Sequence, residues 1–111
     1  MSLIKIVIYH TYSKKQPFLE WHNALDSKVK EIVASRLTRL NLGNFGDCKF
    51  IKDGAGIWEL RIDYGPGYRI YFGKIGTAIV ILLCGGDKGS QQKDIMKAKQ
   101  YWLDYKESMH E

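Results

Sequence analysis

"IWELRIDYGPGYRIYFGK", residues 57–74, is the stretch on which the reading of the fold turns. Gly65, Pro66 and Gly67 separate two runs rich in β-branched and aromatic residues, the pattern of a β-hairpin. Side chains alternate across a strand, so parity sorts both arms. Trp58, Leu60 and Ile62 share one face with Tyr68, Ile70 and Phe72; Glu59, Arg61, Asp63, Arg69 and Tyr71 share the other. A three-residue loop over 65–67 would pair Ile62 with Ile70, Arg61 with Tyr71 and Asp63 with Arg69. A two-residue loop would mix the polar and core faces. Arg61, Arg69 and Tyr71 are therefore expected side by side. Two permanent cations on one strand face either solvate it, with Glu59 and Asp63 as partners, or build a site for an anion.

Outward from the hairpin, the periods change twice. Residues 3–12 read as a first strand. Phe18, Leu19, Trp21 and Leu25 fit a short helix with Pro17 in its first turn. Asp26 can cap a second helix that places Val29, Ile32, Val33, Leu37 and Leu40 on one face, and Gly43 with Asn44 supplies the stop. Residues 49–52 are a short strand candidate, and the apolar run 77–84 reads as a central strand covered on both faces. Residues 85–89 read as a loop. Ser90 can then cap a last helix with Ile95, Ala98, Trp102 and Tyr105 in its stripe. The expected fold is α+β, in the order β-α-α-β-β-β-β-α. It is one domain over 1–111, a mostly antiparallel sheet of four to five strands with a helical hairpin on one face and a C-terminal helix.

Composition narrows the class. Forty-five per cent hydrophobic residues in 111 support a folded globule with one core. Seventeen basic against 12 acidic residues give a formal charge of +5, which favours polyanions or an acidic protein as partner. Residues 49–99 hold nine basic and five acidic side chains, so the excess lies with the sheet. Cys48 and Cys84 read as reduced thiols, and without a CxxC or Cys/His cluster a structural zinc site has no support. The N-terminal apolar run is too short for a signal peptide or a membrane span. The expectation is a soluble, cytoplasmic protein without a membrane, cofactor or small-molecule partner.

Three motifs carry a family resemblance: G-x-x-E-L-R at 56–61, G-P-G-Y-R-x-Y-F at 65–72 and G-G-D-K-x-x-Q-x-x-D-I at 85–95. Together they resemble the RelE/ParE superfamily of toxins from type II toxin–antitoxin systems, in the phage-derived, HigB-like "addiction module killer" branch. The resemblance spans essentially the whole chain. It implies a RelE-like toxin fold and, on the RelE and HigB side, ribosome-dependent endoribonuclease cleavage of messenger RNA. It also implies a cognate helix-turn-helix antitoxin, with ribosome and mRNA as further partners. Catalytic basic residues carry over to Arg61, Arg69 and Lys88. Gly89 stands where the family more often has Ser or Thr. The ParE side inhibits DNA gyrase without cutting RNA, and a degenerate toxin that only binds its antitoxin is a third reading.

RNA can be cut without a metal when its own 2′-OH attacks the phosphodiester and cations stabilise the charge that builds on phosphate. Arg61 and Arg69 are expected in that role, because guanidinium forks match phosphate oxygens. No histidine falls on this face. His22 lies in the first helix, His110 in the tail, and His10, ending the first strand, is the one outside candidate. Tyr71 is expected to take or relay the 2′ proton, and Lys88 to contact phosphate or the leaving oxygen. Neighbouring cations would favour phenolate for the first and neutral amine for the second. Lys49 and Lys52 are expected to hold RNA backbone or to be solvated surface.

Overall fold

The computed structural model describes residues 3–109; His110 lies outside them. The described residues form β1 (Lys5–Ile8), α1 (Pro17–Asn23), α2 (Ser27–Asn41), β2 (Cys48–Phe50), β3 (Ile57–Ile62), β4 (Tyr68–Ile75), β5 (Ile79–Asp87), a 3-10 turn (Lys88–Ser90) and α3 (Gln91–Ser108). The sheet has five strands in the order β1-β5-β4-β3-β2. β1 runs parallel to β5 and every other pairing is antiparallel. This is the α+β order read from the sequence.

The sheet is covered on both faces. Phe18 of α1 and Val29, Val33 and Leu40 of α2 pack against Leu60, Ile62, Ile70, Phe72, Val80 and Leu82. Ala98 and Trp102 of α3 pack on the opposite face against Ile57, Tyr71, Ile81 and Leu83. Caps follow the sequence at α2, where the Asp26 side chain accepts from the Val29 N–H at 3.0 Å. Gly43, at φ 92°, closes the helix. Ser90 sits at the expected helix start, but its side chain does not cap the helix. Its hydroxyl bonds the Asp94 carboxylate instead. Both thiols are free, Cys48 half-buried and Cys84 buried.

β1 is shorter than the stretch 3–12 read as a strand and β2 lies one to two residues before 49–52, and two further departures bear on the site. Residues 85–86 are not loop but the end of β5, which runs on to Asp87. Gly85 permits it: a Cβ there would run into the Trp21 ring. A bulge, where Tyr71 pairs with Cys84 but Phe72 with Leu82, turns Leu83 and Cys84 to the same face. The second departure is the hairpin register. Ile62 pairs with Tyr68, Leu60 with Ile70 and Trp58 with Phe72, so the connection is 63–67 and not 65–67. A slip of two residues keeps every side chain on its own face, so alternation could not choose between the registers. Arg61 therefore stands opposite Arg69, not Tyr71, and Glu59 stands opposite Tyr71.

Gly85→Ala is expected to lower stability by about 1–3 kcal/mol through overpacking against Trp21. Denaturant melts check it, and Trp21→Leu in the same chain should recover part of that stability.

Candidate active site at the turn of the central hairpin

The 63–67 connection and the end of β5 are tied together, since the Lys88 N–H donates to the Gly67 carbonyl at 3.0 Å. Around that tie lies an open cleft of about 320 Å³ lined by Asp47, Arg61, Asp63, Gly65, Pro66, Gly67, Arg69 and Lys88. Gly67 adopts φ 84°, and a Cβ on it would lie 3.7 Å from Lys88 Cβ and 3.8 Å from Arg69 Nη1. Lys88 and Arg69 thus flank the turn. The structure brings Arg61, Arg69 and Lys88 to one cleft, as the parity of the strands implied for the arginines.

Each arginine has its own carboxylate. Arg61 donates from Nε at 3.2 Å and Nη2 at 2.8 Å to Asp47 Oδ1. This contact pushes the guanidinium further above its ordinary pKa. Both partners are substantially exposed, so the pair is weak and open to exchange for another anion. Arg69 is held differently. Its Nε faces Glu59 Oε1 at 3.4 Å, with 13% of the arginine side chain and 2% of the glutamate exposed. Glu59 Oε2 accepts in turn from Gln91 Nε2 at 2.8 Å, at the first residue of α3. Arg69 Nε makes no hydrogen bond among the described residues, so the buried carboxylate meets it as a counter-charge and, through Gln91, ties β3 to the start of α3. From below, Arg36 of α2 donates to the Arg61 carbonyl at 2.6 Å and fixes the end of β3.

Tyr71 is not in the cleft. Its side chain is fully buried beneath α3, and its hydroxyl has no hydrogen-bond partner among the described residues. Burial first, then the nearby Glu59 and Asp94 carboxylates, push its pKa up. This reverses the expected pull toward phenolate. The cause is that α3 covers the inner strands of this face, sealing Tyr71, while Arg61 and Arg69 lie at the open hairpin end. Lys49 is exposed on edge strand β2, opposite Glu59, and Lys52 is exposed in the turn beyond it. Neither lines the cleft. His10 is exposed in the loop after β1 and lines a different cavity with Asp104 and Glu107. His22 lies in α1 as expected.

Two residues of the site were not singled out by sequence, and a third stands in a different place from the one expected. Asp47 reaches Arg61 because Cys48 pairs with Leu60, which sets Asp47 beside Arg61; a three-residue strand carries too little pattern to reveal that register. Asp63 was expected opposite Arg69 in a strand, and instead it lies in the connection as a cleft wall. Gln91 holds Glu59 from a helix start that no sequence pattern connects to β3. Among the described residues, no group of three His, Cys, Asp or Glu side chains is placed to hold a metal ion.

Residues 20–102 match the family described as phage-derived protein Gp49-like. The chain belongs to that family. A relative, an uncharacterized protein of Haemophilus influenzae, is 49% identical over 83 residues, covering 74% of this chain and 82% of that protein. Among solved structures, a double-arginine mutant of the E. coli toxin RelE in the free state superposes with a TM-score of 0.62 at 13% identity. The match covers 89% of this chain and 95% of that one, so the Gp49-like chain has the RelE fold. The cleft, β3, β4 and the start of α3 all fall inside the family match.

Two substitutions separate support from chemistry. Tyr71→Phe removes a buried hydroxyl that bonds nothing among the described residues, so stability is expected to stay level or rise. A drop of more than about 1 kcal/mol in denaturant melts would show a partner for that hydroxyl. Glu59→Leu leaves Arg69 without its buried counter-charge and should cost about 3–5 kcal/mol by the same measurement.

Proposed function

We propose that this Gp49-like chain is the toxin of a toxin–antitoxin pair and a metal-independent, ribosome-dependent endoribonuclease acting on messenger RNA. The observation that carries the reading is the convergence of Arg61, Arg69 and Lys88 on one open cleft next to a hairpin turn. Its volume of about 320 Å³ suits a nucleotide and its flanking phosphate. The RelE-like fold supports the toxin reading, because the protein it superposes on is itself a toxin.

In the proposed reaction the 2′-oxygen attacks the adjacent phosphorus, and the bond from phosphorus to the 5′-oxygen breaks. The products are a 2′,3′-cyclic phosphate and a free 5′-hydroxyl. Arg69, paired with the buried Glu59 carboxylate, meets the non-bridging oxygens where negative charge develops. Arg61 joins it when the incoming phosphate displaces the exposed Asp47. A carboxylate of the cleft accepts the 2′ proton; Asp63 is available in the connection, whereas Asp47 is engaged by Arg61. Lys88, exposed on its 3-10 turn, donates to the leaving 5′-oxygen. Tyr71 has no part in proton transfer and serves as packing under α3. Lys49 and Lys52 contact RNA backbone outside the cleft.

Arg69→Ala and Arg61→Ala should each slow single-turnover cleavage on programmed ribosomes by about 10²–10³, as expected for a single preorganised donor. Asp63→Asn should slow it too, and Tyr71→Phe should leave it near the parent rate. Transcript mapping after induction is expected to show codon-phased breaks. Intact messages with altered plasmid supercoiling would replace the nuclease by a gyrase inhibitor. In binding titrations, replacing Lys49 and Lys52 by Ala should flatten the salt dependence by about 0.7 in log–log slope for each phosphate no longer neutralised.

A further inference from the structure

At the far end of β4 from the cleft, the C-terminal half of α3 leaves an apolar groove. Two adjoining cavities, of about 200 and 370 Å³, share Trp102 and Lys106 as walls. Leu103 lines the first and Met109 the second, and these side chains are 55% and 54% exposed. Lys99 rims the first cavity, and Lys106 carries its ammonium 5.3 Å from the centre of the Trp102 ring. Among the described residues no carboxylate lines either cavity. The acidic residues of this helix segment lie elsewhere: Asp104 accepts from the Tyr9 hydroxyl at 2.6 Å, and with Glu107 it lines the cavity beside His10. The helix therefore separates a basic, apolar side from an acidic one.

We propose that this groove docks an acidic amphipathic segment of the antitoxin, its apolar side chains on Leu103, Trp102 and Met109 and its carboxylates on Lys99 and Lys106. The inference rests on the toxin–antitoxin reading above and adds to it the surface and the chemistry of the partner. Charge decides among occupants. A second copy related by a twofold axis would set the same lysines against each other. Nucleic acid would meet a floor of aliphatic side chains and a Trp102 only 5% exposed, too buried to stack on a base. A segment alternating apolar anchors with Asp or Glu satisfies both the floor and the rim. β4 has eight residues, so the groove lies roughly 23 Å from the hairpin turn at about 3.3 Å per residue. Docking there leaves the cleft at Arg61 and Arg69 uncovered.

The test uses the full chain and, as antitoxin, the protein encoded beside its gene, with affinity measured by calorimetry. Leu103→Glu, and Lys99→Glu with Lys106→Glu, should each weaken binding by about tenfold or more, because they place charge on the floor or reverse the rim. Arg61→Ala should bind within about twofold of the parent. Amide exchange in the unsubstituted chain gives a readout without mutation, with antitoxin-dependent protection expected over 75–77 and 99–109. Parent-like affinity in both groove variants, or protection confined to 61–69 and 88, overturns the groove while leaving the toxin reading in place. If the neighbouring protein neither binds nor relieves growth arrest, the toxin–antitoxin reading fails, and the groove assignment with it.

Discussion

The site depends on one buried contact, the Glu59 carboxylate between Arg69 and Gln91. A carboxylate with 2% exposure has given up its water and is stable there only with a positive partner and a donor for its second oxygen. Arg69 supplies the first and Gln91 the second. Because those two residues come from β4 and the start of α3, the same contact pins the helix to the hairpin. Arg61 and Arg69 stand directly opposite on neighbouring strands, an arrangement that repels unless each charge is met separately. Asp47 meets one at the surface and Glu59 meets the other inside. The fold thereby holds two guanidinium groups side by side, one paired with a buried charge and one exchangeable at the surface.

This asymmetry bears on what the cleft can do. A donor fixed before the reaction costs no reorganisation when charge develops, which is how a preorganised cation lowers a barrier. An exposed pair such as Arg61–Asp47 is weak enough for a phosphate to replace the carboxylate. Lys88 adds a third charge from a turn whose backbone is tied to Gly67. The carboxylates that neutralise the free site would also limit its attraction for casual anions, which suits a reaction confined to a large assembly such as the proposed ribosomal one.

Much of the fold was legible because it follows from local chemistry. The two helices after β1, the Asp26 cap, the Gly43 stop and the stripe of α3 are set by periodicity and end residues, and they stand where the sequence placed them. Parity also put Arg61 and Arg69 on one face. What parity cannot see is a slip by two, so Arg61 was matched with Tyr71 when its true neighbour is Arg69. Nor does a tyrosine at an outward position reveal that a distant helix will cover it. Tyr71 is buried because α3 returns across that face with Ala98 and Trp102. The GG of β5 looked like a loop for a similar reason: Gly85 makes room for Trp21, from a segment far away in the chain, and Gly86 for Asp94 of the helix that follows.

The most direct test is a double-mutant cycle between Glu59→Gln and Arg69→Ala, read as single-turnover cleavage of a message on programmed ribosomes. If Glu59 acts by holding Arg69 against the scissile phosphate, Glu59→Gln slows the proposed cleavage in the parent chain but changes almost nothing once Arg69 is gone. Effects that simply add, or cleavage indifferent to Arg69, would contradict it.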